Sequence, residues 1–147
     1  SIVAHYLERD LAVGLAAAAE SSYLLHPDRG SRQYIRMLEW LARLDAITST
    51  PLAEVLAAEA RWFNRNTTLF VISPSTDPSW GAMLRELADR GIRARAIVVD
   101  PSSFGSTESP LQLIGSLAAA RIPSIVVRQG DDLSKVVTFS EAPGVRR

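Results

Sequence analysis

Thr67-Thr68-Leu69-Phe70-Val71-Ile72-Ser73 is the stretch whose reading decides the fold. It is rich in β-branched and aromatic residues, which predicts a strand. It carries no charge, which predicts a central strand covered on both faces. Downstream, Ser75-Thr76-Asp77-Pro78 combines capping side chains with a proline, the pattern of a helix start. Met83, Leu84 and Leu87 should face inward, and Gly91 should close that helix as the residue after its C-cap. Ile92 to Val99 reads as the next strand. Pro101 to Ser109 is a loop rich in Gly, Ser and Pro. A helix from Pro110 to Ala120 should bury Leu111, Ile114 and Leu117. Ser124 to Val127 is the last strand, and Asp131-Asp132 should cap a short helical turn through Val136. This β-α-β-α-β order predicts an α/β fold of three layers. Its sheet should be mostly parallel and doubly wound, with right-handed crossovers and helices on both faces.

Upstream, a hydroxyl N-cap at Thr50 precedes Pro51, where a missing N–H costs nothing. Leu52, Val55, Leu56, Ala60 and Phe63 then form a stripe. A preceding helix is expected to start from an N-cap at Ser31 and to turn Tyr34, Ile35, Leu38, Leu41 and Leu44 inward. Leu11 to Ala19 reads as a buried strand, with helix as a competitor because of its alanines. Ser22 to Leu25 pairs with it as a hairpin, adding an antiparallel edge to the sheet, and residues 26–30 form a turn-rich loop. Ser1 to Asp10 reads as the tail of an amphipathic helix, as in a piece cut from a longer protein. Residues 1–140 should form one domain, followed by a flexible tail over 141–147.

The 147 residues are 47% apolar and 22% charged, a composition able to build a core. Sixteen basic residues balance sixteen acidic ones, so no global field favours nucleic acid as a partner. The absence of cysteine removes disulfides, zinc ribbons and thiol catalysis, and two histidines are too few for a His-rich metal site. The apolar run at Leu11 to Ala19 falls short of the roughly 20 residues that span a bilayer. No membrane contact by this chain itself is expected.

The order of elements resembles the von Willebrand factor A domain. More narrowly, the chain resembles the C-terminal half of a prokaryotic family, domain of unknown function fifty-eight, usually encoded beside MoxR-type AAA+ ATPases. The matching stretches are Leu11-Ala-Val-Gly-Leu15 with its hairpin, Met37-Leu-Glu-Trp-Leu-Ala-Arg-Leu44, Thr50-Pro-Leu-Ala-Glu-Val-Leu56 and Thr68-Leu-Phe-Val-Ile-Ser-Pro74. The resemblance implies an α/β domain lacking its first strand. That strand would lie between the hairpin and the Thr68 strand. Its absence could be met by direct pairing of Leu11–Ala19 with Leu69–Ser73, or by a homodimer through an exposed sheet edge.

The resemblance also implies a metal-ion-dependent adhesion site for Mg²⁺ or Mn²⁺. Thr50 stands where that motif has its threonine. The D-x-S-x-S loop is absent, and Pro74 occupies the position of the later aspartate. One ligand cannot satisfy a cation that wants about six oxygens. No intact metal site and no cofactor are therefore expected, unless residues upstream of the chain complete the site.

In open parallel sheets, ligands bind beyond the carboxyl ends of the strands. The rim residues to watch are Ser73, Ser75, Thr76, Asp77 and Asp100, with the start of the Thr50 helix expected at the same rim. The 73–77 loop lacks the glycines and lysine of a phosphate-binding loop, so strand exit and helix capping explain it better. Asp131 and Asp132 should solvate a loop and cap a turn. Trp40, Trp62 and Trp80 should lie on helices; Trp40 and Trp62 could mark a partner surface, with core burial the expectation. Arg29, Arg32, Arg36 and Arg43 recur along one helix, with Arg61 and Arg65 on the next. Such a basic face could meet an acidic partner or lipid headgroups, but a solvated face balanced by Glu39 and Glu59 is the expectation. No nucleophile elbow is present.

Three functions follow as expectations. The first is a non-enzymatic protein-interaction module, an adaptor or assembly factor for an AAA+ ATPase. By resemblance it would face the cytoplasm within a membrane-anchored protein. The second is a small enzyme or nucleotide binder using Asp100, Ser75 and Thr76. The third is a metal adhesion domain completed by residues outside the chain.

Overall fold

A computed structural model describes residues 1–17, 23–44 and 50–141. The expected polar break at Glu20-Ser21, the first residue of the second strand and the tail after Glu141 lie outside the described residues. The chain divides into two compact units, Ser1–Val55 and Leu56–Arg147.

The first unit opens with α1 (Ile2–Glu8), whose first turn is capped by Ser1 Oγ accepting from the Ala4 N–H at 3.2 Å. β1 (Val13–Ala17) and β2 (Tyr23–Asp28) pair antiparallel as a two-stranded sheet of their own. Among the described residues the hairpin and the three parallel strands are two separate sheets, so neither the expected antiparallel edge nor the pairing of Leu11–Ala19 with Leu69–Ser73 is seen. Nor is β1 buried: its residues alternate half-buried and exposed, as on a ribbon with one covered face. His26-Pro27-Asp28, expected in a loop, extend β2. Pro27 is tolerated because each strand of a two-stranded ribbon has a free edge.

The register slips between Val13, opposite Asp28, and Leu15, opposite Leu25, so β2 carries an extra residue there. Gly14 sits against this bulge. A Cβ at that position would lie 2.8 Å from the Leu25 carbonyl oxygen. Only glycine permits so close an approach.

α2 (Gly30–Arg43) starts at Gly30, with Arg29 rather than Ser31 at the N-cap and no capping side chain. Its rotation differs from the expected one. Gln33 and Met37 are its buried residues, whereas Ile35, Leu38 and Leu41 are exposed. Gln33 explains the difference. Its Nε2 donates to the Val13 carbonyl at 2.8 Å and to the His26 carbonyl at 3.0 Å. A polar side chain thus fastens the helix to both strands at the bulge and sets which face turns inward. Leucine periodicity alone points to the wrong face.

α3 (Leu52–Glu59) follows Pro51, whose carbonyl accepts from the N–H groups of Glu54 and Val55. Val55, Leu56 and Ala60 of the expected stripe are buried. A 3-10 turn over Ala60–Trp62 ends the element.

The second unit holds β3 (Thr68–Ser73), α4 (Ser79–Asp89), β4 (Arg93–Val99), a 3-10 turn at Pro101–Phe104, α5 (Leu111–Ala119), β5 (Ser124–Val127) and α6 (Ser134–Glu141). The strands are parallel in the order β3-β4-β5, with Ile72 beside Ile97 and Ile97 beside Ile125. The uncharged stretch read as central is thus at the end of this sheet. β4 is the buried middle strand, and Ile72 on β3 is 61% exposed. Lack of charge did not show how many neighbours β3 has.

α4 and α5 lie side by side on one face. A Cβ at Gly81 of α4 would stand 3.4 Å from Leu113 and from Ser116 of α5. Trp80, Leu84, Leu87, Leu113 and Leu117 are fully buried there, as are Ala96 and Val98 of β4. Side chains alternate along a strand, so Arg95 faces the other side. Its Nη1 donates to the Phe139 carbonyl at 2.7 Å, and its guanidinium lies 5.4 Å from the Phe139 ring centre. α6 therefore covers the second face. α4 ends in a Schellman motif: Ile92 N–H reaches the Leu87 carbonyl and Gly91 N–H the Ala88 carbonyl, with Gly91 at φ 87°.

Candidate functional site

Parallel strands bring their carboxyl ends to one rim. Here the rim is built by residues 74–78 after β3, 100–110 after β4 and 128–133 after β5. Ser73 ends β3 buried, and its Oγ accepts from the Ser75 N–H at 3.1 Å. Ser75 Oγ accepts from the Asp77 N–H at 3.4 Å, and Asp77 Oδ1 from the Ser79 N–H at 2.8 Å. This is a relay of side-chain-to-backbone turns that leads into α4. The Ser79 backbone N–H, then its hydroxyl, holds the Asp77 carboxyl below its ordinary pKa. Asp77 thus caps a helix, as the sequence implied, although Pro78 holds the N-cap position itself.

Asp100, the residue after β4 and the N-cap of the 3-10 turn, is buried. Its Oδ1 accepts from Ser102 Oγ at 2.6 Å and from the Ser102 N–H at 3.0 Å, while Oδ2 accepts from Arg128 Nε at 3.2 Å. The Ser102 hydroxyl is the leading cause of its lowered pKa; burial opposes the shift, and the Ser102 N–H and Arg128 reinforce it. Asp131 accepts from the Arg128 N–H at 2.9 Å, and Asp132 from the N–H and hydroxyl of Ser134. The two form turns and do not join Asp100 in an acidic pair.

The loops are also tied to one another. Thr76 Oγ1 donates to Glu108 at 3.2 Å. Ser103 Oγ donates to the Asp100 carbonyl at 2.8 Å and accepts from the Gln129 N–H at 3.0 Å. Arg128 crosses between loops to Asp100. Against this polar lattice stand three large apolar side chains in solvent: Phe104 at 57%, Leu111 at 74% and Leu133 at 64% exposure. Leu111 was expected inward. The i, i+4 pair Leu113 and Leu117 takes the core side instead, and that spacing was legible in the sequence. Glu108 and Arg128 were missed because their partners Thr76 and Asp100 lie 32 and 28 residues away, whereas the bonds of Ser102 and Ser103 to Asp100 are the local turn that an aspartate in this loop suggests.

Thr50 belongs to the first unit, whereas Ser73, Ser75, Thr76, Asp77 and Asp100 belong to the second. Among the described residues no group of three or more His, Cys, Asp or Glu is placed to hold a metal ion. Pro74, at the position of the later aspartate in the motif of the A-domain resemblance, offers no side-chain oxygen. Trp62, expected in the core, is exposed, with the Arg61 guanidinium 5.2 Å from its ring centre.

Because folding lowers the Asp100 pKa, its contribution to stability is present above the unfolded value of about 4 and is lost as pH falls through the folded one. Asp100→Asn should therefore be less stable than wild type at pH 7. The gap should close under acid, in urea melts compared at pH 7 and pH 3. A gap that stays constant would contradict the role of the carboxylate.

Comparison of the chain with known protein families, with curated proteins and with solved structures finds no match.

Proposed function

We propose that this chain is a protein-docking module of the A-domain type, an adaptor or assembly factor that works with a MoxR-type AAA+ ATPase. One observation carries the reading. The rim's carboxylates Asp77, Asp100 and Asp132 are each held by hydrogen bonds of their own loops, whereas Phe104, Leu111 and Leu133 are offered to solvent. A catalytic rim keeps acids and bases available to a substrate. A docking rim offers apolar anchors on a rigid frame surrounded by satisfied polar groups. The cross-loop ties give that frame, so little ordering entropy is lost on association.

Among the described residues no helix is long and apolar enough to cross a membrane. A cytoplasmic position beside a membrane anchor carried elsewhere in a longer protein belongs to the same proposal.

The test uses a purified MoxR-type ATPase from the same organism, titrated by calorimetry. Wild type should bind. Phe104→Ser and Leu111→Ser should each weaken binding about tenfold, the effect of losing an anchor worth about 1.4 kcal/mol. Both residues are exposed, so the fold should be unaffected. Wild type that fails to bind, or variants that bind as tightly as wild type, would overturn the proposal.

A further inference from the structure

The outer face of α2 is exposed. Viewed down the helix, Leu41, Leu38, Ala42 and Ile35 form one exposed apolar arc. Beside it lie Arg32, Arg43 and Arg36, all exposed, with Glu39 as the single acid of the helix. Glu59, expected on a solvated face, is buried. The helix is strongly amphipathic, and its aliphatic side chains alternate with enough charge to keep it from being greasy throughout. Half-buried Tyr34 lies within the apolar arc, whereas half-buried Trp40 lies on the other side, between Arg36 and Gln33.

We propose that this face of α2 docks on an anionic lipid surface, with Ile35, Leu38 and Leu41 entering the headgroup boundary and Arg32, Arg36 and Arg43 meeting lipid phosphates. Strong amphipathicity, a well-charged polar side carrying arginine, and aliphatics with an aromatic, here Tyr34, on the other side are the marks of a helix that lies in the interface plane. Charge selects the occupant. A second copy would set arginine against arginine, whereas an anionic leaflet attracts all three. A bilayer surface also accepts a convex helix ridge without a matching groove. The proposal departs from the expectation that this chain makes no membrane contact. That expectation rested on the lack of a spanning segment, and a surface-lying helix needs none.

The experiment is co-sedimentation of the full chain with sucrose-loaded vesicles, either pure phosphatidylcholine or equal parts phosphatidylcholine and phosphatidylglycerol. Binding should require the anionic lipid and weaken at high salt. The triple variant R32Q/R36Q/R43Q should bind about a hundredfold less, since each arginine near the surface counts for about a factor of five. L38S/L41S should lose binding with its arginines intact, and both variants should keep the wild-type circular dichroism. Equal binding to both vesicle types, no binding to either, or variants that bind like wild type would overturn the proposal. So would binding of a soluble acidic helical peptide by a chain that ignores the vesicles.

Discussion

Trp80→Ala should lower the unfolding free energy of the second unit by about 3–5 kcal/mol. Trp80 is completely buried in the layer formed with Leu84, Leu87, Leu113 and Leu117. Its indole Nε1 also donates to the Ser75 carbonyl at 3.1 Å. Truncation would leave a cavity and an unpaired acceptor at the base of the rim. The control is a tryptophan in the other environment. Trp62 is exposed, so Trp62→Ala should change stability by only about 0.5 kcal/mol. Urea unfolding followed by far-ultraviolet circular dichroism separates the two. Equal effects would mean that the core is not where the fold places it. Loss of Trp80 should also loosen loop 74–78, so rim binding and core stability should fall together.

Gln33→Glu, a nearly isosteric change, should destabilise the first unit by about 3–5 kcal/mol, the usual penalty of a buried charge without a partner. The Gln33 amide donates to two backbone carbonyls, and its Oε1 is buried without a partner of its own. Replacing the NH₂ by a carboxylate oxygen sets negative charge against both carbonyls. Gln33→Leu should be milder. It loses the two bonds but also removes a buried unpartnered acceptor. The two variants also differ in pH dependence. The buried carboxylate binds a proton more readily in the folded state, so the stability of Gln33→Glu should rise as pH falls from 7 toward 4. Gln33→Leu should show no such gain relative to wild type. Thermal melts at both pH values read this directly.

Local chemistry made much of the architecture legible. The prolines and glycines were informative: Pro51 opens α3, Pro110 precedes α5 and Gly91 closes α4. The strands β3, β4 and β5 and their parallel order followed from composition and spacing. Long-range facts were not legible. β3 looked central because it is uncharged, yet pairing places it at the end of its sheet. The face of α2 was misread because one glutamine, not the leucines, decides the rotation. β2 runs through Pro27 because a two-stranded ribbon has edges to spare.

At the rim, the capping role of Asp77 was visible from Pro78 beside it. The bond from Asp100 to Arg128 spans 28 residues and leaves no local signature. Exposure of Leu111 could have been read from the competing Leu113–Leu117 spacing. Exposure of Phe104 and Leu133 could not, because no periodic element surrounds them.

The most direct measurement is a nitrogen–proton correlation spectrum of the labelled chain during titration with the purified ATPase. Amides of residues 102–105, 111–113 and 131–134 should broaden first, while those of β4 stay sharp. If those rim amides remain unchanged while another surface responds, or if the ATPase leaves the whole spectrum untouched, the rim is not the docking surface.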